Sequence, residues 1–303
     1  MSEQSSVIDY TNYISLVWKS KKLVIAIVAV FSIVSVIISL SLPNVYRATS
    51  TVLAVDHGSQ MSSVASQLGG LAAMAGLNLK GSEVDKVSLA IQILNSRQFQ
   101  LNFIDKHNLK PLIMAVSSWD DELDKPNYIE DLYNPSSKEW LNGEDGRSLE
   151  PSGWETYDTF SKLIQIEKMK AANFYQIGFD YFSPKESARI ANLLVKDINE
   201  TMRTMDQERS QKNIDYLNKQ LEKTHLTNMQ VVFYQLIEEE NKTLMLSQAQ
   251  EEYIFTAIDP AVTPEYRLKP KRALLCIAGV TLGGIFAVFI VLAMSFFREL
   301  KEK

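Results

Sequence analysis

The chain's apolar and polar positions follow three different rhythms, and the longest of them runs through residues 183–258. That stretch holds no glycine and, after Pro184, no proline. It opens with Ser183-Pro184-Lys185-Glu186, a capping box with proline at the first helical position. Apolar residues then recur at Ile190, Leu194, Ile198, Met202 and Met205, and again at Ile214, Leu217 and Leu221, the threes and fours of one helical face. Between the two runs, residues 206–213 carry no apolar side chain, while Glu208 with Lys212 and Asp215 with Lys219 stand four apart and support an exposed helix. The pattern predicts a helical arm that crosses water, about 100 Å long if about 70 residues are helical. A tip break is expected within residues 225–246, with a shorter return arm after it. Ile214, Leu217 and Leu221 form a narrow apolar stripe that a neighbouring copy could cover.

A second rhythm is no rhythm at all: residues 23–42 and 273–297 are unbroken apolar runs without Asp, Glu, Lys, Arg or His. Each meets the ~20 residues that cross a ~30 Å hydrocarbon core, so two transmembrane helices are predicted. Lys19, Lys21 and Lys22 before the first run place the N-terminus in the cytoplasm, and two spans return the C-terminal tail, residues 298–303, to the same side. Arg267, Lys269, Lys271 and Arg272 stand on the opposite side and go against this rule, but carry little weight because a long loop translocates largely regardless of charge. Ser32, Ser35 and Ser39 in the first run, and Gly279, Gly283 and Gly284 in the second, supply the small residues that let helices approach in lipid. Pro260, Pro264 and Pro270 stiffen residues 259–272 as they lead back to the second span.

The third rhythm is alternation. Residues 46–55 read as a strand with Thr49, Thr51, Leu53 and Val55 on one face; residues 160–168 and 174–182 read as two neighbouring antiparallel strands, with Tyr175, Ile177, Phe179 and Tyr181 sharing a face. Residues 84–107 have a helical period, and residues 1–18 suit a small amphipathic helix through Ile8, Tyr10, Tyr13, Ile14 and Val17. The fold class is therefore a membrane-anchored α+β protein: two transmembrane helices flank an α/β base domain, residues 43–182, from which a very long helix grows. Residues 1–22 form a short cytoplasmic N-terminus.

Composition changes this picture little. The formal charge of −5 argues against nucleic acid. The single cysteine, Cys276, lies within the second apolar run, so no intrachain disulfide exists. Residues 117–153 are acidic, interrupted by proline and glycine, and carry Trp119, Tyr128, Tyr133 and Trp140; they read as a solvated excursion on the domain's rim. His57, His107 and His225 are scattered, with no partner at metal-ligand spacing. Gly69, Gly70 and Gly76 are followed by no Gly-Lys-Ser/Thr, and there is no Gly-x-Ser-x-Gly elbow. Catalysis would have only carboxylates such as Asp120, Asp121 and Asp124 to use. No catalytic residue, cofactor or metal is assigned, and the chain is expected to position something rather than transform it.

A short start followed by an apolar span, Val45-Tyr46-Arg47-Ala48 opening a strand, Ile93-Leu94-Asn95-Ser96-Arg97, the run YQIGFDYFSPKESARIAN over residues 175–192, and the proline-rich residues 264–272 together resemble a Wzz-type chain-length determinant, a polysaccharide co-polymerase. Lys269-Pro270-Lys271-Arg272 departs by one residue from the family's Ser-Pro-Lys-Arg. The resemblance implies a Gram-negative inner-membrane protein with a periplasmic base domain, assembled as a homo-oligomeric ring. It implies non-enzymatic control of a separate polymerase that extends an undecaprenyl-linked glycan, with lipopolysaccharide O-antigen as the polymer. Two other readings compete. A periplasmic adaptor of an export system pairs two long helices, and the pattern offers no second run to pair with the first. A two-span sensor would need a cytoplasmic signalling domain.

Overall fold

The computed structural model describes residues 18, 20–55, 86–170 and 173–301, the side chains of 295–301 excepted. The amphipathic start, the glycine-bearing segment with Gly69, Gly70 and Gly76, His57 and Val84 lie outside the described residues. The chain divides into two compact units: Tyr46–Tyr266, and a second that joins Met1–Val45 with Arg267–Lys303.

In the second unit, helix α1 (Lys21–Ser41) packs against a long C-terminal helix, Arg272–Lys301. Both are long and apolar enough to cross a membrane. They run antiparallel: Ser35 Oγ donates to the Leu275 carbonyl at 2.9 Å, and Phe31 stacks near Phe286 with ring centroids 5.5 Å apart.

The larger unit is built on a four-stranded antiparallel sheet. Its strands are β1 (Tyr46–Ala54), β6 (Ile164–Lys168), β7 (Phe174–Tyr181) and β8 (Phe255–Asp259), in the order β6-β7-β1-β8. Strand β1 sits centrally, with Tyr46 opposite Tyr181 on one side and Ala54 opposite Phe255 on the other. Alternation buries Ala48, Ser50, Val52 and Ala54 on the face that also carries Tyr175, Ile177, Phe179 and Tyr181. The helices α2 (Lys86–Leu94), α3 (Arg97–Lys106), α4 (Lys110–Met114), α5 (Gly153–Leu163) and α6 (Pro184–Lys223) cover that face. Rings run through the core in sequence, Phe103 to Phe160 at 5.7 Å and Phe160 to Phe179 at 5.4 Å.

Several expectations change. The helix expected over residues 84–107 is two, because Ser96 stops the first and caps the second by accepting a bond from Phe99 N–H. The strand expected to begin at Phe160 begins at Ile164. Ser152 and Glu155 form a reciprocal capping box that starts helix α5, and helix wins over the local alternation until Leu163. Residues 116–140 fold into two small ribbons, β2 (Val116–Asp120) with β3 (Lys125–Tyr128) and β4 (Tyr133–Asn134) with β5 (Glu139–Trp140).

The long arm is the largest correction. Ser183 accepts from Glu186 N–H and proline follows, but the Glu186 carboxylate turns to Arg189 at 2.5 Å rather than back to the cap. Helix α6 then runs for 40 residues and stops at Lys223, about 60 Å at ~1.5 Å per residue. A second helix, α7 (Thr227–Ala249), folds back along it, as the Asn213–Glu240 bond at 2.7 Å requires. The reversal falls at residues 224–226, and Gln230 Nε2 holds it by donating to the Thr224 carbonyl at 2.9 Å. What was expected to end as helix near residue 258 ends as strand β8. The polar stretch over 206–213 does not cross water unaccompanied: Asp206 and Ser210 are buried where the return helix passes. The C-terminal apolar helix, Arg272–Lys301, is α8.

Candidate functional site

Helix α6 is the element on which the functional geometry hangs. Its apolar face, Ile190, Ala191, Leu194, Ile198 and Met202, is buried on the sheet. A second stripe, seven residues apart, is made of amides. Asn199 accepts from Ile254 N–H and Phe255 N–H, both at 2.8 Å, and donates to the Phe255 carbonyl at 2.7 Å. Asn192 pairs likewise with Ala261, accepting from its N–H at 2.8 Å and donating to its carbonyl at 2.9 Å. Each side chain imitates one rung of a sheet ladder, so the strand returning from the hairpin is fastened to the helix that left for it. Ser187 does the same lower down, accepting from Ala48 N–H at 2.7 Å and donating to the Phe179 carbonyl at 2.6 Å.

A cleft of 680 Å³ lies along this helix, bounded by Lys106, His107, Asn192, Lys196, Glu200 and Glu252 among others. Four of its ionisable groups form a linked set. Lys106 Nζ lies 2.9 Å from Glu200 and 3.2 Å from Asp197, and His107 Nε2 lies 2.9 Å from Asp197. The bond to Lys106 holds the Glu200 carboxyl below the usual range, and the reciprocal bond raises Lys106. Such a wall can hydrogen-bond to hydroxyls and amides along a neutral polar chain. Among the described residues no cluster of His, Cys, Asp or Glu could hold a metal ion.

At the root of the hairpin, Asp206 gathers three groups. Lys86 Nζ and Tyr253 Oη each approach Oδ2 at 2.6 Å, Arg209 reaches Oδ1 at 2.9 Å, and Lys86 also lies 3.2 Å from Tyr253 Oη. Burial pushes the Asp206 carboxyl up, but the bonds from Lys86 and Tyr253 and the two cationic charges more than offset this, so it stays below its ordinary 3.8. Burial and the Asp206 bond push the Tyr253 hydroxyl well up. On the sheet's other face, Arg47 grips Asp180 bidentately at 2.5 and 2.9 Å.

The residues singled out from sequence fare differently. Ile214 and Leu217 are buried and Leu221 is half-buried, so the stripe expected to face a neighbouring copy faces the chain's own return helix. The most exposed apolar side chains of the hairpin are instead Tyr216, Leu226, Val231, Tyr234 and Met245. In the helix pair, a Cβ at Gly279 would overlap Ser35 and one at Gly283 would stand 2.7 Å from Phe31 Cβ, whereas Gly284 has nothing within 4 Å. Pro260 lines the cleft and Pro270 follows a backbone bridge between Lys269 and Val45. Pro264 is half-buried. The aromatics of the acidic excursion pack together, Tyr128 on Tyr133 at 5.2 Å and Tyr133 on Trp140 at 5.1 Å, while Trp119 turns to Tyr181. Asp120 caps its own turn, and Asp124 takes Lys185 at 2.5 Å. His107 meets Asp197, which neighbouring spacing could not reveal, as ninety residues separate them. The clamps Asn192 and Asn199 were missed altogether; their seven-residue spacing on an otherwise apolar face was the available signal.

Residues 6–107 match the sequence profile of Wzz, the chain length determinant protein family. This bears out the resemblance over that stretch, which includes Val45-Tyr46-Arg47-Ala48 and Ile93-Leu94-Asn95-Ser96-Arg97; residues 175–192 and 264–272 lie outside it. No curated protein sequence matches the chain. Among solved structures, the chain is similar to a full-length bacterial polysaccharide co-polymerase, at 13% identity and TM-score 0.40, over 96% of this chain and 98% of that one. It is also similar to a fragment of WzzB, a polysaccharide co-polymerase from Salmonella Typhimurium, at 13% identity and TM-score 0.30, over 75% of this chain and 100% of the fragment.

Proposed function

We propose that this chain is a non-enzymatic regulator of surface-polysaccharide chain length, acting in the bacterial inner membrane as an oligomeric scaffold for a separate polymerase. The observation that carries the reading is the match of residues 6–107 to the chain length determinant profile. The two apolar helices, one near each end, suit an anchor with both termini in the cytoplasm and residues 46–266 in the periplasm. The polymer is lipopolysaccharide O-antigen, extended on a polyprenyl carrier, and the cleft beside helix α6 offers its paired charges to the growing chain.

Copies associate side by side through the hairpin. A two-helix ribbon is too thin to hide both faces, and Val231, Tyr234 and Met245 stand 51, 61 and 69% exposed on α7. Several large apolar groups on one helix face suit a second copy of the same ribbon. Replacing Val231 and Tyr234 with Glu should reduce the sedimentation coefficient of the detergent-solubilised protein while helical content is kept. Unchanged sedimentation would move the contact elsewhere.

One observation keeps a second reading alive. Helices α6 and α7 form the paired helical hairpin that an export adaptor uses, and the objection that no second helix exists to pair with the first no longer holds. A gel of surface polysaccharide from cells lacking the gene separates the two. Loss of a modal band supports the determinant; an unchanged ladder with altered drug sensitivity supports the adaptor.

A further inference from the structure

The basic run that goes against the expected charge asymmetry is not used by the reading above. Arg267, Lys269, Lys271 and Arg272 place four cations within six residues, and no carboxylate occurs from residue 266 through 298. The run is not a loose loop. Val45 N–H donates to the Lys269 carbonyl at 2.9 Å, and Leu268 N–H and Lys269 N–H donate to the Val45 carbonyl at 2.8 and 3.2 Å, so the backbone is pinned from both sides. Arg272 Nη2 reaches Asn44 Oδ1 at only 3.3 Å, while its Nε is enclosed and finds no acceptor among the described residues.

Its depth is set by the helices. α1 has 21 residues, about 31 Å at ~1.5 Å per residue, which matches the ~30 Å hydrocarbon core. The pinned run joins the end of α1 to the start of α8 and therefore stands at headgroup level when the pair spans a bilayer. Phosphate oxygens are the dense anionic acceptors at that level, and a fixed array of Lys and Arg matches them.

We infer that residues 267–272, through Lys269, Lys271 and Arg272, bind the phosphate headgroup of a lipid at this end of the helix pair. The inference rests on the membrane reading above and deepens it. A polymer carried on a lipid diphosphate would be held by its charged anchor, whatever its sugars.

The full chain in nanodiscs of phosphatidylcholine doped with a few mole per cent of polyprenyl diphosphate, or of phosphatidylglycerol, tests it by the phosphate lipid that co-elutes per protein after mild detergent extraction. The wild type should enrich the doped lipid, and Lys269→Gln with Lys271→Gln should lower retention about thirtyfold, the scale of two cations near an anionic headgroup. Both of these side chains are exposed, so the variant folds as the wild type does; adding Arg272→Gln should lower retention further. The matching change at the other end, Lys19, Lys21 and Lys22 to Gln, should leave retention as it was. Equal retention by the Lys269/Lys271 variant overturns the proposal, and so does equal loss in the other-end variant, which would indicate general charge attraction. Complete displacement by millimolar inorganic phosphate also overturns it, by assigning the run to free phosphate. An unaltered polysaccharide ladder in cells lacking the gene would count against the proposed function alone and leave lipid retention to be judged by these arms.

Discussion

Asn199 shows how much one amide can organise. It satisfies two N–H groups and one carbonyl of the strand that closes the sheet, all buried. Asn199→Ala should cost about 2–4 kcal/mol, because backbone groups are left dry and unpaired, and urea denaturation would measure it. Asn199→Asp is the sharper variant: the carboxylate keeps both acceptor bonds but has no donor for the Phe255 carbonyl, so it should also destabilise near neutral pH. Asp206 gives the pH dependence. Its folded carboxyl lies below the ordinary 3.8, so the stability from its bonds is fully present above that value and is lost as pH falls through the folded value. Asp206→Asn should lower stability at pH 7 and flatten the acid limb of a plot of urea midpoint against pH below about pH 4. An acid limb as steep as in the wild type would assign that limb to other carboxylates.

At the scale of elements, the hairpin is where patterns in the sequence and the structure part company. The apolar periodicity of α6 was legible because the sheet demands it, and so was the strand β7, whose alternation ends in a capping residue. The reversal at Thr224, His225 and Leu226 was legible only as a break somewhere within residues 225–246, since it uses neither glycine nor proline and its helix α7 starts without a side-chain cap. The buried polar residues Asp206 and Ser210 likewise read as solvated, because what covers them is distant in the chain, as Lys86 and Tyr253 are from Asp206. Strand β8 hid for the same reason: four of its five residues pair with β1, about two hundred positions earlier, which no local window reports. Leu217→Asp now tests the hairpin. Burying a carboxylate there should speed amide exchange across α7 and expose its tip to protease, before any effect on assembly. In the helix pair, Gly279→Val should separate α8 from α1, because the new methyls meet Ser35, while Gly284→Val should leave the pair intact. Distance measurements between spin labels on the two helices would distinguish them.

For the molecule as a whole, the division at Tyr46 and Tyr266 predicts that residues 46–266 form a soluble fragment with the helical circular dichroism expected of α2–α7 and the same dependence on Asn199. Aggregation of that fragment would mean that the apolar helices contribute to its folding. The sheet order also has a consequence in time. Strand β1 is made early and takes its central place only when β7 arrives on one side and β8 on the other. The β8 side must wait for the whole hairpin to emerge, leaving the backbone of residues 51–54 an open edge throughout synthesis. Contacts this distant in sequence fold slowly. A chain stalled before residue 255 would therefore expose a ready template for another copy's strand, and quality control would have to act on this protein while it is still being delivered.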